Sequence, residues 1–510
     1  MNPFIKKLQH RASHNDNVVL VDIASAKQIL ASELLQSAYD VAGKLLSLGA
    51  KRGDFIVVTM SASYEYYSLL YGCFISGIIP SLIDPKQSKK NLVTCIDELK
   101  PVLWISNQDI PEFKTTTMNE LYKAPASPVF NDKPALDSAC MLLYTTGTTG
   151  IPKGVPWTLE QLESQAMELK HFHKQVNCEF VLFPYLALAC IYNDKKAIIP
   201  NTRTTQPNLM SIESIFFQMK TYGSDYIFAS PAFWIRLTQY CQRTQHQLDF
   251  IKIISTAGAS LNLVMLQRLS DTMTCGEIYI PYASTEALLP VTQIEFKDFK
   301  ALSLEKTLYN KGIPLGKPCQ GINVAVIESN NDSAYPKRLN SNTIGELIVS
   351  GQRITKKYFR RKDITQSSKV NLENSTEIWH KMGDLGYIDD TGMVWLMSRK
   401  KYSFESIHGL FCPDAIEQCL NIHGNCLSSA VVYHKERDIV SLIIPQQEHQ
   451  QVKQESLKLK LKEIGYPNSQ ILFYPSLLPS DSRHNSKVNR EALEQWIEDN
   501  ELYEKYKDLA

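Results

Sequence analysis

The chain has 510 residues, a formal net charge of +1, and ordinary apolar and charged fractions of 44% and 21%. A chain longer than about 300 residues outgrows a single hydrophobic core, so at least two domains are expected. Near-neutral charge supplies no general field for nucleic acid or an anionic membrane surface, so any partner has to be argued from a site.

The N-terminus, "MNPFIKKLQHRASHNDN", lacks the apolar run of a secretory signal. From residue 32 the pattern alternates. "SELLQSAYDVAGKLLSLGA" has apolar residues at helical spacing and stops at Gly49, and "DFIVVTM" reads as a strand. The run "YYSLLYGCFISGIIPSLI", residues 66–83, is uncharged for 18 positions, but Gly72, Gly77 and Pro80 punctuate it. It reads as a buried helix over about 63–76 turning into a strand at 78–83, not a membrane span. "KKNLVTCIDELK" then leads into the strand "PVLWIS". Helix and strand in such alternation predict a parallel α/β sheet.

The next strand, "CMLLY", opens onto "TTGTTGIPKGV", residues 145–155. Glycines let a backbone approach a ligand closely, and successive amides form a nest for an anion, phosphate first. The loop is not the common P-loop, which needs G-x-x-x-x-G-K followed by Ser or Thr. Gly147 and Gly150 stand three apart, and Pro152 precedes Lys153. A solvated turn is the plain alternative for these residues taken alone.

Beyond the loop, Thr158 with Gln161 makes a capping box for "LEQLESQAMELKHFHK". "DYIFASPAFWIRLTQYC" predicts strand, turn and helix. "IKIISTAGASL" predicts a strand into a small-residue turn, with a helix from about Asn262 to Met273. Residues 300–400 hold shorter strands, "INVAVIES", "GELIVSG", "GYIDD" and "MVWLMS", as in an antiparallel or barrel-like region. After the basic cluster Arg399, Lys400, Lys401, a candidate linker, about 110 residues have helices and strands enough for a small α+β domain. Eleven cysteines, with no C-x-x-C pair and most inside apolar runs, read as reduced core thiols of a cytoplasmic protein.

Four further stretches stand in order behind the threonine loop: "TAGASL" (256–261), "PYASTEALLP" (281–290), "KMGDLGY" (381–387) and "SRHNSKVNRE" (482–491). Singly each has a plain reading. Asp384 would be a turn aspartate, Glu286 the cap of a helix near Ala287, Lys487 a solvated charge and Tyr282 core. Together, from "LLSLGAKRGD" to Lys487, the set resembles the superfamily of adenylate-forming enzymes: acyl-CoA synthetases, luciferases and adenylation domains of peptide synthetases.

The resemblance implies an α/β fold with a large N-terminal domain, residues 1–398, of two sheet-and-helix lobes plus a barrel-like lobe. A hinge at 399–402 would join it to a small mobile α+β domain, 403–510. It also implies ATP and magnesium, and in many members coenzyme A. By motif match, Thr145, Thr146, Gly147, Thr148, Thr149 and Gly150 with Lys153 would hold the β- and γ-phosphates, with Thr145 and Glu286 at the metal. Tyr282 and the Gly258-Ala259 turn would form the adenine slot, and Thr285 would donate to the α-phosphate. Asp384 would take the ribose hydroxyls with Arg399 nearby. Lys487 would be the catalytic lysine delivered by the mobile domain, and Lys401 the hinge residue. In two-step members that domain then rotates to present another face, near Gly409.

Three positions depart from the family pattern. Ala283 replaces the usual Gly after the tyrosine, "PSDSRHNSK" is longer than the usual lysine loop, and no histidine follows the phosphate loop in "WTLEQL". Within the superfamily, "FPYLAL", "FASPAFW", "PYASTEALLPVT", "HKMGDLGY" and "RHNSKVNRE" look most like the long-chain acyl-adenylating branch that contains the olefin-pathway β-lactone synthetases. That likeness implies a long-chain carboxylic acid substrate, 3-hydroxylated, with other pathway enzymes as partners. His484 is then a candidate base for ring closure. "FASPAFWIRLTQY" and "VLFPYLALACIY" fit an apolar tunnel or, as readily, plain core. The expected activity is adenylation followed by a β-lactone or a CoA thioester. The alternative from another class is a nucleotide-binding interaction protein that has lost catalysis.

Overall fold

Strand and helix alternate from the N-terminus in a computed structural model of the chain. It describes residues 2–503 apart from 85–86, 108–109, 111–112, 130–136, 147–150, 203–208, 259–260, 330–334, 374 and 481–487, and without the side chains of Thr146 and His173. Among the described residues, a five-stranded sheet runs in the order Leu103–Ser106, Phe55–Thr59, Ile79–Leu82, Ala139–Thr146, Pro152–Thr158. The first four strands are parallel and the last is antiparallel. The uncharged run 66–83 forms the helix Tyr64–Ser76, started by the Ser63 side chain accepting from the Tyr66 amide and ended at Gly77 in the left-handed region (φ 74°). The strand Ile79–Leu82 follows directly. No helix among the described residues is long and apolar enough to cross a membrane.

The second sheet is larger. From Lys27–Leu30 and Val18–Asp22 it passes through Lys196–Ile199, Cys178–Phe180, Tyr226–Ala229, Ile253–Thr256 and Glu277–Tyr282 to Thr292–Glu295. The central strands, 18–22 to 277–282, are parallel, as alternating βα units require. At Ile313–Pro318 the sheet turns into an antiparallel region made of Val394–Arg399, Ile378–Ile388, Gly345–Gly351 and Ile322–Ile327. This region has its own apolar core, including Ala287, Val291, Val324, Leu347 and Val394. Both predicted lobes and the barrel-like third are therefore present.

The C-terminal part packs helices Pro413–Gly424, Gln454–Glu463 and Arg490–Asp499 on a three-stranded sheet of Ala430–His434, Ile439–Pro445 and Ser469–Tyr474. Two of its cores are its own, while Cys412 and Ala415 pack with Leu385, Tyr387, Trp395 and Met397 of the large domain, and Leu427 joins the cluster that includes Phe233 and Trp234. Between the two parts, Arg399 is followed by a single 3-10 turn, Lys400–Tyr402. All eleven cysteines are free, and eight are buried.

Candidate active site

The threonine loop springs from an antiparallel pair. Strand Ala139–Thr146 is in register with Pro152–Thr158, Thr145 opposite Lys153 and Thr146 opposite Pro152, so the chain reverses between them. Thr145 and Lys153 therefore lie side by side at the edge of the turn. Gly147, Thr148, Thr149 and Gly150 lie outside the described residues. Gly154 keeps this edge narrow, because a Cβ there would meet Phe359 Cβ at 3.1 Å, and its carbonyl accepts from the Phe359 amide at 2.8 Å.

That packing brings in Tyr358. Lys153 Nζ lies 5.7 Å from the Tyr358 ring centroid, and the Tyr358 hydroxyl donates to Glu286 Oε1 at 2.7 Å. No helix begins at Ala287, so Glu286 is not a helix cap. The segment instead bridges antiparallel to 353–355: the Thr355 amide donates to the Glu286 carbonyl at 2.8 Å, and Ala287 bridges Ile354. One residue earlier, the Thr285 carbonyl accepts from the Trp157 indole at 2.8 Å. Thr285 and Glu286 are thus pinned from both sides against the loop-bearing strands.

Two basic groups close over the carboxylate. Lys369 Nζ lies 5.8 Å from the Tyr358 ring on the way to the Thr355 carbonyl, and His380 is buried with Nδ1 3.3 Å from the Ser368 carbonyl. Burial would raise the Glu286 carboxyl, but His380, the Tyr358 hydroxyl and Lys369 outweigh it and hold it below the usual carboxylate range. Burial presses Lys369 down to about 7, against the pull of Glu286, and His380 down to about 3, helped by Lys369. At neutral pH His380 is therefore uncharged, and the Tyr358 hydroxyl and a partly protonated Lys369 are the partners that remain.

The third group lies at the edge of the barrel-like region. Tyr282, at the end of Glu277–Tyr282, donates its hydroxyl to Asp384 Oδ2, while Arg399 pairs with Asp384 Oδ1 at 3.0 Å. Register explains the ion pair, since Asp384 sits opposite Arg399 on adjacent strands. Asp384 is a strand residue, and the turn-aspartate alternative falls. Beside Asp384, Arg399 is held above its ordinary value, and burial followed by Asp384 pushes the Tyr282 phenol well up. A ribose would have to share Asp384 with Tyr282 or displace it. Ala283 is not among the left-handed residues, so its methyl imposes no backbone strain there. Gly258 does use positive φ (101°), with open space where a Cβ would go.

Ala259, His484 and Lys487 lie outside the described residues. The structure thus brings together Thr145, Lys153, Thr285 and Glu286, and beside them Tyr282, Asp384 and Arg399. Tyr358, Lys369 and His380 were not anticipated. His380 stood four residues before Asp384 in a stretch already singled out, a usable signal, whereas nothing in the local pattern marks Tyr358 or Lys369. The apolar candidates "FASPAFW" and "LALACIY" contribute chiefly to the cores through Phe233, Trp234 and the wholly buried helix Leu186–Tyr192.

The residues fit a nucleotide with its cation. Among the described residues no cluster of three or more His, Cys, Asp or Glu could hold a metal. A lone ionised carboxylate beside a phosphate-type loop suits magnesium, which commonly takes one or two carboxylates plus the ligand's own phosphates.

A parallel α/β core with convergent polar side chains at its strand ends is an arrangement that suits a nucleotide. The chain belongs to the AMP-binding enzyme family, which it matches over residues 8–359, and it is an adenylate-forming ligase. It is similar to the olefin β-lactone synthetases of Xanthomonas campestris pv. campestris, 26% identical with 89% of this chain and 88% of that one covered, and Stenotrophomonas maltophilia, 25% with 89% of each. It is also 23% identical to 2-succinylbenzoate–CoA ligase of Bacillus cereus, covering 83% of this chain and 84% of that one. Among solved structures, O-succinylbenzoate coenzyme A synthetase from Bacillus subtilis with ATP and magnesium ion superposes with TM-score 0.75 at 18% identity, covering 96% and 99% of the two chains. ATP-bound MatB from Rhodopseudomonas palustris gives 0.79 at 17%, covering 98% and 99%. These two likenesses establish the fold.

Proposed function

We propose that the enzyme uses ATP and magnesium to adenylate a long-chain 3-hydroxy fatty acid in the cytoplasm, then closes the acyl-adenylate to a β-lactone. The observation that carries the adenylation step is the convergence of the loop-bearing pair, through Thr145 and Lys153, on Glu286 held as a carboxylate. Similarity to two olefin β-lactone synthetases over nine-tenths of the chain supports the product. The eleven free cysteines support a reducing compartment.

A carboxylate is a weak nucleophile toward a polyanion, so catalysis here is mainly charge management. Thr145 to Gly150 with Lys153 hold the outer phosphates, Thr285 orients the α-phosphate, and Glu286 with Thr145 takes the cation. Tyr282 and the Gly258-Ala259 turn seat adenine, and Asp384 with Arg399 seats the ribose. Magnesium, when bound, withdraws charge from the phosphates. Lys487 brings an ammonium between the incoming carboxylate and the α-phosphate. The acid's oxygen bonds to the α-phosphorus and pyrophosphate leaves. The 3-hydroxyl then attacks the activated carbonyl and AMP leaves, an intramolecular step that needs no thiol because effective molarities reach ~10⁵ M or more.

The second reading ends in a CoA thioester, supported by the likeness to 2-succinylbenzoate–CoA ligase. One experiment separates them: plain and 3-hydroxylated acids of graded length are incubated with ATP and magnesium, with and without CoA, and products are weighed by mass spectrometry. Loss of water from the hydroxy acid without CoA is the expected result, strict CoA dependence gives the ligase, and no pyrophosphate from any acid gives the inactive scaffold. Lys487→Ala in the same assay is expected to lower ATP–pyrophosphate exchange ~10²- to 10³-fold. Near-normal exchange would remove Lys487 from its role.

A further inference from the structure

The first hairpin after the 3-10 turn is made of Phe404–Ser406 and Gly409–Phe411, with Ile407 and His408 at its tip. His408 is not loose there. Its Nε2 lies 2.9 and 3.1 Å from the two carboxylate oxygens of Asp438. Asp438 is itself held: Tyr433 donates its hydroxyl to Oδ1 at 2.7 Å, Asn468 Nδ2 donates to Oδ2 at 3.4 Å, and the residue sits in a left-handed turn (φ 53°). Burial would raise its carboxyl, but the Tyr433 hydroxyl and His408 keep it below the ordinary range. A carboxylate can only accept, so Nε2 carries a hydrogen toward Asp438 and Nδ1 is the ring nitrogen left for another partner. Among the described residues Nδ1 makes no hydrogen bond. An imidazole oriented by a carboxylate, with its second nitrogen open, is the arrangement a general base requires.

The tip has a second peculiarity. Ile407 is 80% exposed, the most exposed large apolar residue among those described. A two-stranded hairpin gains nothing from an isoleucine in water. It does gain from one that is covered when the hairpin meets an apolar surface elsewhere in the cycle.

Resting on the two-step reading above, we infer that His408, oriented by Asp438, is the general base of ring closure, brought to the acyl-adenylate on the hairpin when the small domain turns. Nδ1 takes the proton of the 3-hydroxyl as its oxygen bonds to the acyl carbonyl carbon. The bond from that carbon to the phosphate oxygen breaks, its electron pair leaving on AMP. The proton stays on the imidazole until water removes it. Ile407 packs beside the alkyl chain of the substrate.

The test follows the acyl-adenylate and the lactone separately, by quenching the full-length enzyme with ATP, magnesium and a 3-hydroxy fatty acid and weighing both species. His408→Gln keeps an N–H to donate to Asp438, and so keeps the hairpin tethered, but has no basic nitrogen. It is expected to accumulate acyl-adenylate while lactone release falls ~10²- to 10⁴-fold, the range for loss of a general base. Asp438→Asn is expected to stall at the same species through the wrong tautomer. A His408→Gln enzyme that releases lactone at the parent rate overturns the assignment, as does a stall confined to His484→Ala, which would place the base on the lysine loop. If His408→Ala stalls and His408→Gln does not, the pair is a structural tether and the proposal fails. If the parent enzyme makes no lactone from any 3-hydroxy acid, the two-step reading itself fails and takes this base with it.

Discussion

Around Glu286 the enzyme keeps one carboxylate charged by surrounding it with groups that are themselves penalised. His380 shows the cost. Its imidazole protonates near 6.5 in the unfolded chain but only near 3 in the native site, because burial and Lys369 disfavour the cation. Between those values the unfolded chain binds the extra proton, so stability present above pH 6.5 is progressively lost as the pH falls toward 3. His380→Gln removes this linkage. The gap between urea midpoints at pH 7 and pH 4 is expected to be smaller in the variant than in the parent, and an equal or larger gap would mean that the imidazole is not what responds to acid.

At the scale of elements, the corner at Ile313–Pro318 decides whether two sheets become one. The register slips between Pro314 and Gly316, and Gly316 has φ 91° with its missing Cβ directed onto the Gln293 carbonyl of the neighbouring strand. Gly316→Ala combines a left-handed alanine with a backbone clash, so a loss of about 2 kcal/mol or more is expected in chemical denaturation. Gly392→Ala is the control, with φ 79° but open space around the added methyl, and should cost about 1 kcal/mol. Equal costs would show that the corner is not under steric control. This glycine was invisible in the sequence, whereas the helix Leu159–His173 was legible because Thr158 and Gln161 form their capping box within four residues. The same division runs through the fold. Local signals marked the uncharged run 66–83 and the Thr145–Lys153 reversal. The strand Val18–Asp22 went unread because its parallel partner, Lys196–Ile199, lies far along the chain. Within the candidate site, ordered motifs marked Glu286, Tyr282 and Asp384 as candidates, while Tyr358 and Lys369 reach Glu286 only through tertiary packing that no spacing encodes.

For the molecule as a whole, the link between the two parts sets what the cycle can do. Lys401 lies in the turn Lys400–Tyr402, and its Nζ donates to Glu491 Oε1 at 2.6 Å, on the last helix. On that helix Arg490 pairs with Asp414 at 3.2 Å and Glu417 at 2.7 Å, and Asp414 accepts from the Arg399 amide at 2.9 Å. A continuous set of polar contacts thus runs from the ion pair of Asp384 and Arg399, across the turn, to the helix Arg490–Asp499. If the small domain must take one orientation to deliver Lys487 and another to deliver the His408 hairpin, the backbone at 400–402 has to change conformation between half-reactions. Proline at 401 fixes φ near −65° and restricts residue 400 as well. Lys401→Pro is therefore expected to spare ATP–pyrophosphate exchange more than lactone or thioester formation. Lys401→Met, which removes an exposed pair with Glu491 worth at most about 1 kcal/mol and the contact of the ammonium with the Tyr402 ring, should change neither by more than a few-fold. Equal loss of both half-reactions in Lys401→Pro would mean that one orientation serves both, and the hairpin would then have no route to the acyl-adenylate.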